Sequence, residues 1–293
     1  MSDARVLAEA RRELDDAGLT GWFCLRDLAT RREIALDADV AVPVASLVKV
    51  PLAMAVLERI EHGDLDAAEQ VEVSPLPAPV AGLTGLSRFV HPSRVALQDL
   101  VRLSTTLSDN VAADLLFERV SPDEVTAWLR DHGIDDVVVR HAIGDLAETP
   151  LRDSPELAHA LAIAGGVGRL GHRVDQLDPS SASLGTARAM VDLLAVVWAD
   201  DGPAAAQVRG LMGEAVHRQR LWPDFASDAS TWSGKTGTLL NLRHEIGVVD
   251  HADGTSIAIA ALTTSRVPAA VQPHAEATMG AVARRLHDHL RSR

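Results

Sequence analysis

The sequence holds a single cysteine, Cys24, and no tyrosine. One thiol cannot form a disulfide within the chain, and a zinc site built on cysteines is excluded. Cys24 lies in "GWFCLRDL", a β-capable run, so a buried thiol is expected. Long apolar runs are also missing: none reaches the roughly 18 residues that a membrane helix needs. Basic residues are outnumbered, 28 Lys and Arg against 41 Asp and Glu, which gives a formal net charge of -13. Such a surface repels nucleic acid and anionic membrane, so neither is expected as a partner. The opening "MSDARVLAEARRELDD" has no basic head followed by an apolar stretch, so it does not read as a signal peptide. The sequence as it stands points to the cytoplasm; export is the expectation if a leader has been removed.

Metal and nucleotide motifs fail on context. The 12 histidines are scattered and no H-E-x-x-H occurs. His287 and His289 are two apart on a predicted helix, so they point to different faces and read as surface residues. "GGVGRLG" contains Gly166, Gly168 and Gly171, but a dinucleotide loop needs a strand before it and a helix after it, and here a helical pattern precedes. "SGKTGT" ends like a P-loop, yet the loop's first glycine would fall at Ala229, and a strand follows instead of a helix. No metal and no organic cofactor are expected.

What is present is a chain of 293 residues, 47% hydrophobic, enough for one large domain or two intermediate ones. Residues 3–16 read as an amphipathic helix, and "GWFCLRDLATRREIAL" as a hairpin around Ala29–Arg32. Helical periodicity runs from Val44 to about Gly63, which is a helix stop. It returns in "RVALQDLVRLSTTLSDNVAADLLFERV", broken near Ser108. Ser121 and Glu124 have the spacing of a capping box. Residues 135–183 are less regular, and two helices follow. After about 215 come three strands and a closing helix. Strands near both ends and helices between predict an α+β protein of two domains. Residues 1–43 and 215–293 would form an antiparallel sheet flanked by terminal helices. Residues 44–214 would form an inserted all-helical domain, with the active site between the two.

The stretch "VASLVKVPLAMAVLERI" places Lys49 in an apolar helix, three residues after Ser46 and so on the same face. A serine at a helix start sits beside unpaired N–H groups and the positive end of the dipole, which suits an alkoxide and then an oxyanion. Burial lowers a lysine's pKa and turns its amine into a base near neutral pH. Ser46 is therefore a candidate nucleophile and Lys49 its proton acceptor. "LSDN" puts Ser108, Asp109 and Asn110 at a helix break, and "SGKTGT" puts Lys235, Thr236 and Gly237 on a strand.

S-x-x-K, S-D-N and K-T-G in that order are the signature of class A β-lactamases and penicillin-binding proteins. From about residue 20 to its end the chain resembles class A serine β-lactamases, least so between 135 and 183. The family's fold is the one expected above. The resemblance implies an acyl-serine mechanism on a β-lactam, or on a related amide or ester near a carboxylate. It makes Ser108 the proton relay to the leaving nitrogen, and Asn110 a partner of the substrate amide. Lys235 and Thr236 would hold the substrate carboxylate, with Gly237 in the same motif. The backbone N–H groups of Ser46 and Thr238 would form the oxyanion hole. Arg243, or His244 beside it, would also reach the carboxylate. Because tyrosine is absent, relatives that use Tyr-x-Asn in place of Ser-Asp-Asn are excluded.

The resemblance breaks at deacylation. The family's E-x-x-L-N loop is matched by "ETPLR", with Glu148 as base and Arg152 where asparagine is expected. An arginine there lowers the carboxylate's pKa and weakens the base. Asp145 is a substitute for Glu148. Residues 153–183 form a segment longer than the family loop, which either covers the pocket or is a surface insertion. The expected partner is a small carboxylate-bearing substrate, and a monomer is expected. Three alternatives stay open: a cytoplasmic esterase, amidase or acyltransferase; a penicillin-binding protein that acylates without efficient release; and a binding protein that has lost turnover.

Overall fold

Helix α1 (Asp3–Asp16) leads into β1 (Leu19–Asp27), which turns back as β2 (Glu33–Leu36). The turn is closed by Asp27 Oδ1, which accepts the N–H groups of Ala29 and Thr30 at 2.9 Å each. Next come β3 (Val42–Pro43), a 3-10 turn (Ala45–Val48) and α2 (Lys49–His62). Gly63 ends α2 at φ 81, a left-handed value that a residue without Cβ adopts freely. A two-stranded ribbon, β4 (Gln70–Val73) and β5 (Ser93–Ala96), precedes helices α3 (Leu97–Thr106), α4 (Asn110–Phe117) and α5 (Pro122–Asp131). Ser121 and Glu124 form the capping box that their spacing predicts. The chain continues through β6 (Val137–Val138), α6 (Pro155–Gly165), β7 (Leu184–Gly185), α7 (Ala187–Ala199), α8 (Pro203–Gly213) and α9 (Trp222–Phe225). It closes with β8 (Ser230–Leu239), β9 (Leu242–His251), β10 (Ser256–Ser265) and α10 (Pro273–Arg291). This is a computed structural model, and it describes residues 2–76, 84–144, 154–166, 170–266 and 272–292.

The main sheet has the order β2-β1-β10-β9-β8, antiparallel throughout. Both faces are covered, and strand parity assigns each side chain to one of two cores. Trp22, Cys24, Ile246, Val248, Ala258 and Ala260 share a core with helices α2–α5, α7 and α8. Phe23, Leu25, Trp232, Val249, Ile257 and Ile259 face α1 and α10. The run "WFCL" has no polar residue because neither face of β1 meets water. As expected, the Cys24 thiol is buried, and burial pushes its pKa up to about 12.

Helix α6 lies where the helical pattern ahead of Gly166 places it. One sequence expectation changes. His287 and His289 are buried and not on the surface. Helix α10 is covered on two sides: His289 Nε2 meets Asp3 Oδ1 of α1 at 2.6 Å, and His287 meets His251 at the end of β9.

Candidate active site

Ser46 belongs to the 3-10 turn, and Lys49 is the first residue of α2 proper. The candidate nucleophile therefore stands just before the helix that was expected to begin with it. Ala45 holds φ 50 and Ser108 holds φ 57. A left-handed backbone at residues with a Cβ is unfavourable and collects at functional sites.

Lys49 is fully buried, with 0% exposure. Its Nζ donates to Asn110 Oδ1 at 2.6 Å, to the Ser108 carbonyl at 2.7 Å and to Ser108 Oγ at 3.3 Å. Burial lowers its pKa to about 7, while Asp109 and Asp114 oppose the shift. Lys235, 1% exposed, reaches the same hydroxyl from β8: its Nζ donates to Ser108 Oγ at 2.8 Å and to the Thr236 carbonyl at 2.9 Å. Burial, then the nearby Lys49 charge, holds the Lys235 ammonium well below the usual lysine range. Two amines donating to one hydroxyl oxygen leave that hydroxyl's own proton free to be given away.

The Ser108 turn is held from behind. Asp109 caps α4, its Oδ1 accepting from the Ala112 N–H at 3.1 Å and its Oδ2 from the Leu86 N–H at 2.6 Å. Gly85, at φ 63, leaves the space this carboxylate fills; a Cβ there would lie 2.1 Å from Oδ2.

The Ser46 turn is pressed against the sheet at Gly237. A Cβ on Gly237 would stand 2.9 Å from the Val44 carbonyl and 3.1 Å from Leu47 Cγ. Opposite Gly237 in the ladder is His244, buried, whose Nδ1 accepts from the Thr263 N–H at 3.1 Å. That bond assigns the proton to Nε2, which donates to the Pro43 carbonyl at 2.9 Å. Burial lowers the His244 pKa to about 4, so the ring stays neutral. His244 thus anchors the chain three residues before Ser46, with both ring nitrogens taken by backbone groups.

Parity separates the remaining strand residues. Thr236 pairs with Glu245 and Thr238 with Arg243, so these side chains face away from Lys235. Arg243 Nη1 donates to the Leu240 and Leu242 carbonyls at 2.6 and 2.8 Å, and its Nε lies 3.9 Å from Glu276. Its guanidinium is therefore turned into its own hairpin.

The residue that sequence reasoning missed is Arg220, 1% exposed. Its guanidinium donates to the His244 carbonyl at 2.6 Å, the Gly237 carbonyl at 3.1 Å, Thr238 Oγ1 at 2.6 Å and Glu276 at 3.1 Å. Next to it, Glu245 accepts from the Leu221 N–H and from Trp232 Nε1, each at 2.8 Å. In "VHRQRLWPD" nothing marks Arg220 out, because its partners lie on a later hairpin and on α10.

Part of the 153–183 segment leans on that hairpin. Ala158 and Ala162 of α6, with Val174 and Leu177, form a small core with Leu240 and Leu242. Glu148, its substitute Asp145, and Arg152 lie outside the described residues.

A sheet covered by terminal helices, with two buried lysines converging on a serine at a helix junction, defines the class A serine β-lactamase fold that penicillin-binding proteins share. The chain belongs to the β-lactamase enzyme family, whose model matches residues 6–290. It is 52% identical to the β-lactamase regulatory protein BlaB of Streptomyces cacaoi, over 99% of each chain. A shorter likeness, 34% over 33% of the chain and 32% of the relative, is to the extended-spectrum β-lactamase PER-1 of Pseudomonas aeruginosa. Among solved structures, PBP-A matches with a TM-score of 0.77 at 15% identity, over 99% of this chain and 97% of that one. A mutant of the class A β-lactamase of the last common ancestor of Gram-negative bacteria matches with a TM-score of 0.76 at 21% identity, over 98% of each chain. These likenesses support a serine β-lactamase-like hydrolase. Among the described residues, no helix is long and apolar enough to cross a membrane.

Proposed function

We propose that the chain forms an acyl-enzyme at Ser46 with β-lactams, and that release of the acyl group sets how far it acts as a hydrolase. The observation that carries this is the meeting of Lys49 and Lys235 on Ser108 Oγ. A substrate carboxylate arriving at Lys235 restores that lysine's charge, because an opposite charge favours the ammonium form. Burial, which lowers the Lys49 pKa to about 7, keeps a large share of that amine neutral. Neutral Lys49 takes the proton of Ser46 while Oγ attacks the lactam carbonyl carbon. As the ring C–N bond breaks, Ser108 gives its proton to the departing nitrogen and is reprotonated from Lys49. The backbone N–H groups of Ser46 and Thr238 stabilise the oxyanion, at about 3 kcal/mol for each such donor.

Water then has to release the acyl group, with Glu148 as the base and Arg152 weakening it. The extensive identity to a protein named as a β-lactamase regulator favours a second reading: a long-lived acyl form that reports the drug. Both readings are tested by mixing the protein with a penicillin and following adduct mass and product together. Rapid product formation with little adduct supports hydrolysis; a stoichiometric adduct that persists supports the regulatory reading. Neither product nor adduct would reject both. If Glu148 is the base, Glu148→Gln accumulates adduct and loses 10²–10⁴ in release rate, on the order typical of general-base catalysis. Unchanged release would remove Glu148 from the mechanism.

A further inference from the structure

On the face of the sheet away from Ser46, the end of β9 meets α10 at two imidazoles. His251 Nε2 and His287 Nε2 stand 2.9 Å apart, with ring centroids 5.0 Å apart. His287 is buried edge-on against Phe225, at 5.3 Å, so its ring cannot swing away. Its Nδ1 faces Asp288 Oδ1 at 2.9 Å, and the same oxygen accepts from Arg284 Nε at 2.8 Å. Nδ1 therefore carries the proton, and Nε2 accepts from the Nε2–H of His251 at 2.9 Å. A carboxylate behind a histidine is the outer partner that orients metal-ligating imidazoles and raises their basicity. The pair opens on a pocket of about 440 Å³ lined also by Ser227 and Ser230, roomy enough for bound water. The two arginines at this pocket are neutralised in place: Arg284 pairs with Asp288, and Arg291 pairs with Asp253.

We infer that His251 and His287 form a two-histidine site for a divalent late transition-metal ion, with water completing the coordination. The spacing decides the geometry. Two nitrogens at about 2.1 Å from one ion are about 3.0 Å apart when cis at a right angle and about 3.4 Å apart when tetrahedral. The 2.9 Å separation of the hydrogen-bonded pair is close to the right-angle spacing that Ni²⁺ or Cu²⁺ takes. Binding requires the His251 proton to move from Nε2 to Nδ1, which gives up the hydrogen bond between the rings and lets both Nε2 lone pairs face the ion. No group of three or more His, Cys, Asp or Glu among the described residues is placed to hold a metal, so the described residues supply two ligands at this site.

The test uses the full chain, stripped with a chelator and titrated with NiCl2 by calorimetry and with CuSO4 by electron paramagnetic resonance. One Ni²⁺ per chain is expected, with Cu²⁺ showing coupling to two imidazole nitrogens. His251→Ala, at the more open side of the pair, should weaken Ni²⁺ binding at least tenfold and remove the two-nitrogen signal. Asp288→Asn should weaken binding about tenfold while keeping both nitrogens, as loss of an outer partner does. His287→Gln repeats the first test from the buried side, with its folding checked by thermal unfolding. Acylation at Ser46 should be unchanged in His251→Ala. Absence of Ni²⁺ binding up to millimolar concentration would overturn the inference. So would affinity and coupling that survive both His251→Ala and His287→Gln.

Discussion

The state of Lys49 governs acylation and can be followed through pH. An ordinary lysine with a pKa of 10.5 is neutral in about one molecule in 3,000 at pH 7; with a pKa of about 7, about half of Lys49 is neutral. The pool of usable base is larger by roughly 1,500-fold. The sign follows from the role: the reactive form is the unprotonated amine, so the acylation rate rises with pH through about 7 and then levels off. Neutral Lys49 is about 9% of the total at pH 6 and about 91% at pH 8, so a tenfold rise is expected between them. Stopped-flow mixing with a chromogenic cephalosporin measures that rate directly. Lys49→Arg carries a guanidinium that stays charged, so it should lose on the order of 10²–10⁴ in acylation while keeping the positive charge. A flat profile from pH 6 to 8, or wild-type acylation by Lys49→Arg, would refute the role given to this amine.

Other outcomes follow from the scaffold around the serine. Gly237→Ala places a Cβ against the Val44 carbonyl, and backbone cannot yield as a side chain does; acylation should slow, and denaturant unfolding should show a loss of about 1–3 kcal/mol. His244 has a folded pKa of about 4 against 6.5 unfolded, so the unfolded chain binds the proton first as the medium is acidified. Its contribution is intact above about 6.5 and is lost as pH falls toward 4, up to about 3 kcal/mol. Unfolding midpoints in His244→Asn should show a shallower acid loss than wild type. Arg220→Lys cannot reproduce a fork that reaches Thr238, Gly237, His244 and Glu276; acylation should fall and stability drop by more than about 1 kcal/mol, read by stopped flow and thermal unfolding.

Much of the fold could be read from sequence because its signals are local. The Ser121–Glu124 capping box, the Gly63 stop and the turn at Asp27 each depend on residues within a few positions. The near-continuous apolar runs in β1 and β10 mark two buried faces. The Lys49–Ser108–Lys235 meeting was legible only through the order of three short motifs, since 59 residues separate the first pair and 127 the second. Arg220 was not legible: its partners are two carbonyls, a hydroxyl and a carboxylate spread over β8, β9 and α10, and no spacing encodes them. Arg243 was read as facing substrate because it follows the motif strand. Parity puts it opposite Thr238, and a local carbonyl pair takes its guanidinium. His287 and His289 looked like surface residues because helical spacing gives the angle between side chains, not how many neighbours cover the helix.

The central proposal is that Ser46 becomes covalently attached to drug, with Lys49 as its base and the two buried amines meeting on Ser108 Oγ. Intact mass followed by peptide mapping after brief exposure to benzylpenicillin, quenched in acid, tests it most directly. One adduct of the drug's full mass on the peptide carrying Ser46, absent in Ser46→Ala and strongly slowed in Lys49→Arg, is the result expected. An adduct on any other residue, or one that persists in Ser46→Ala, would contradict it.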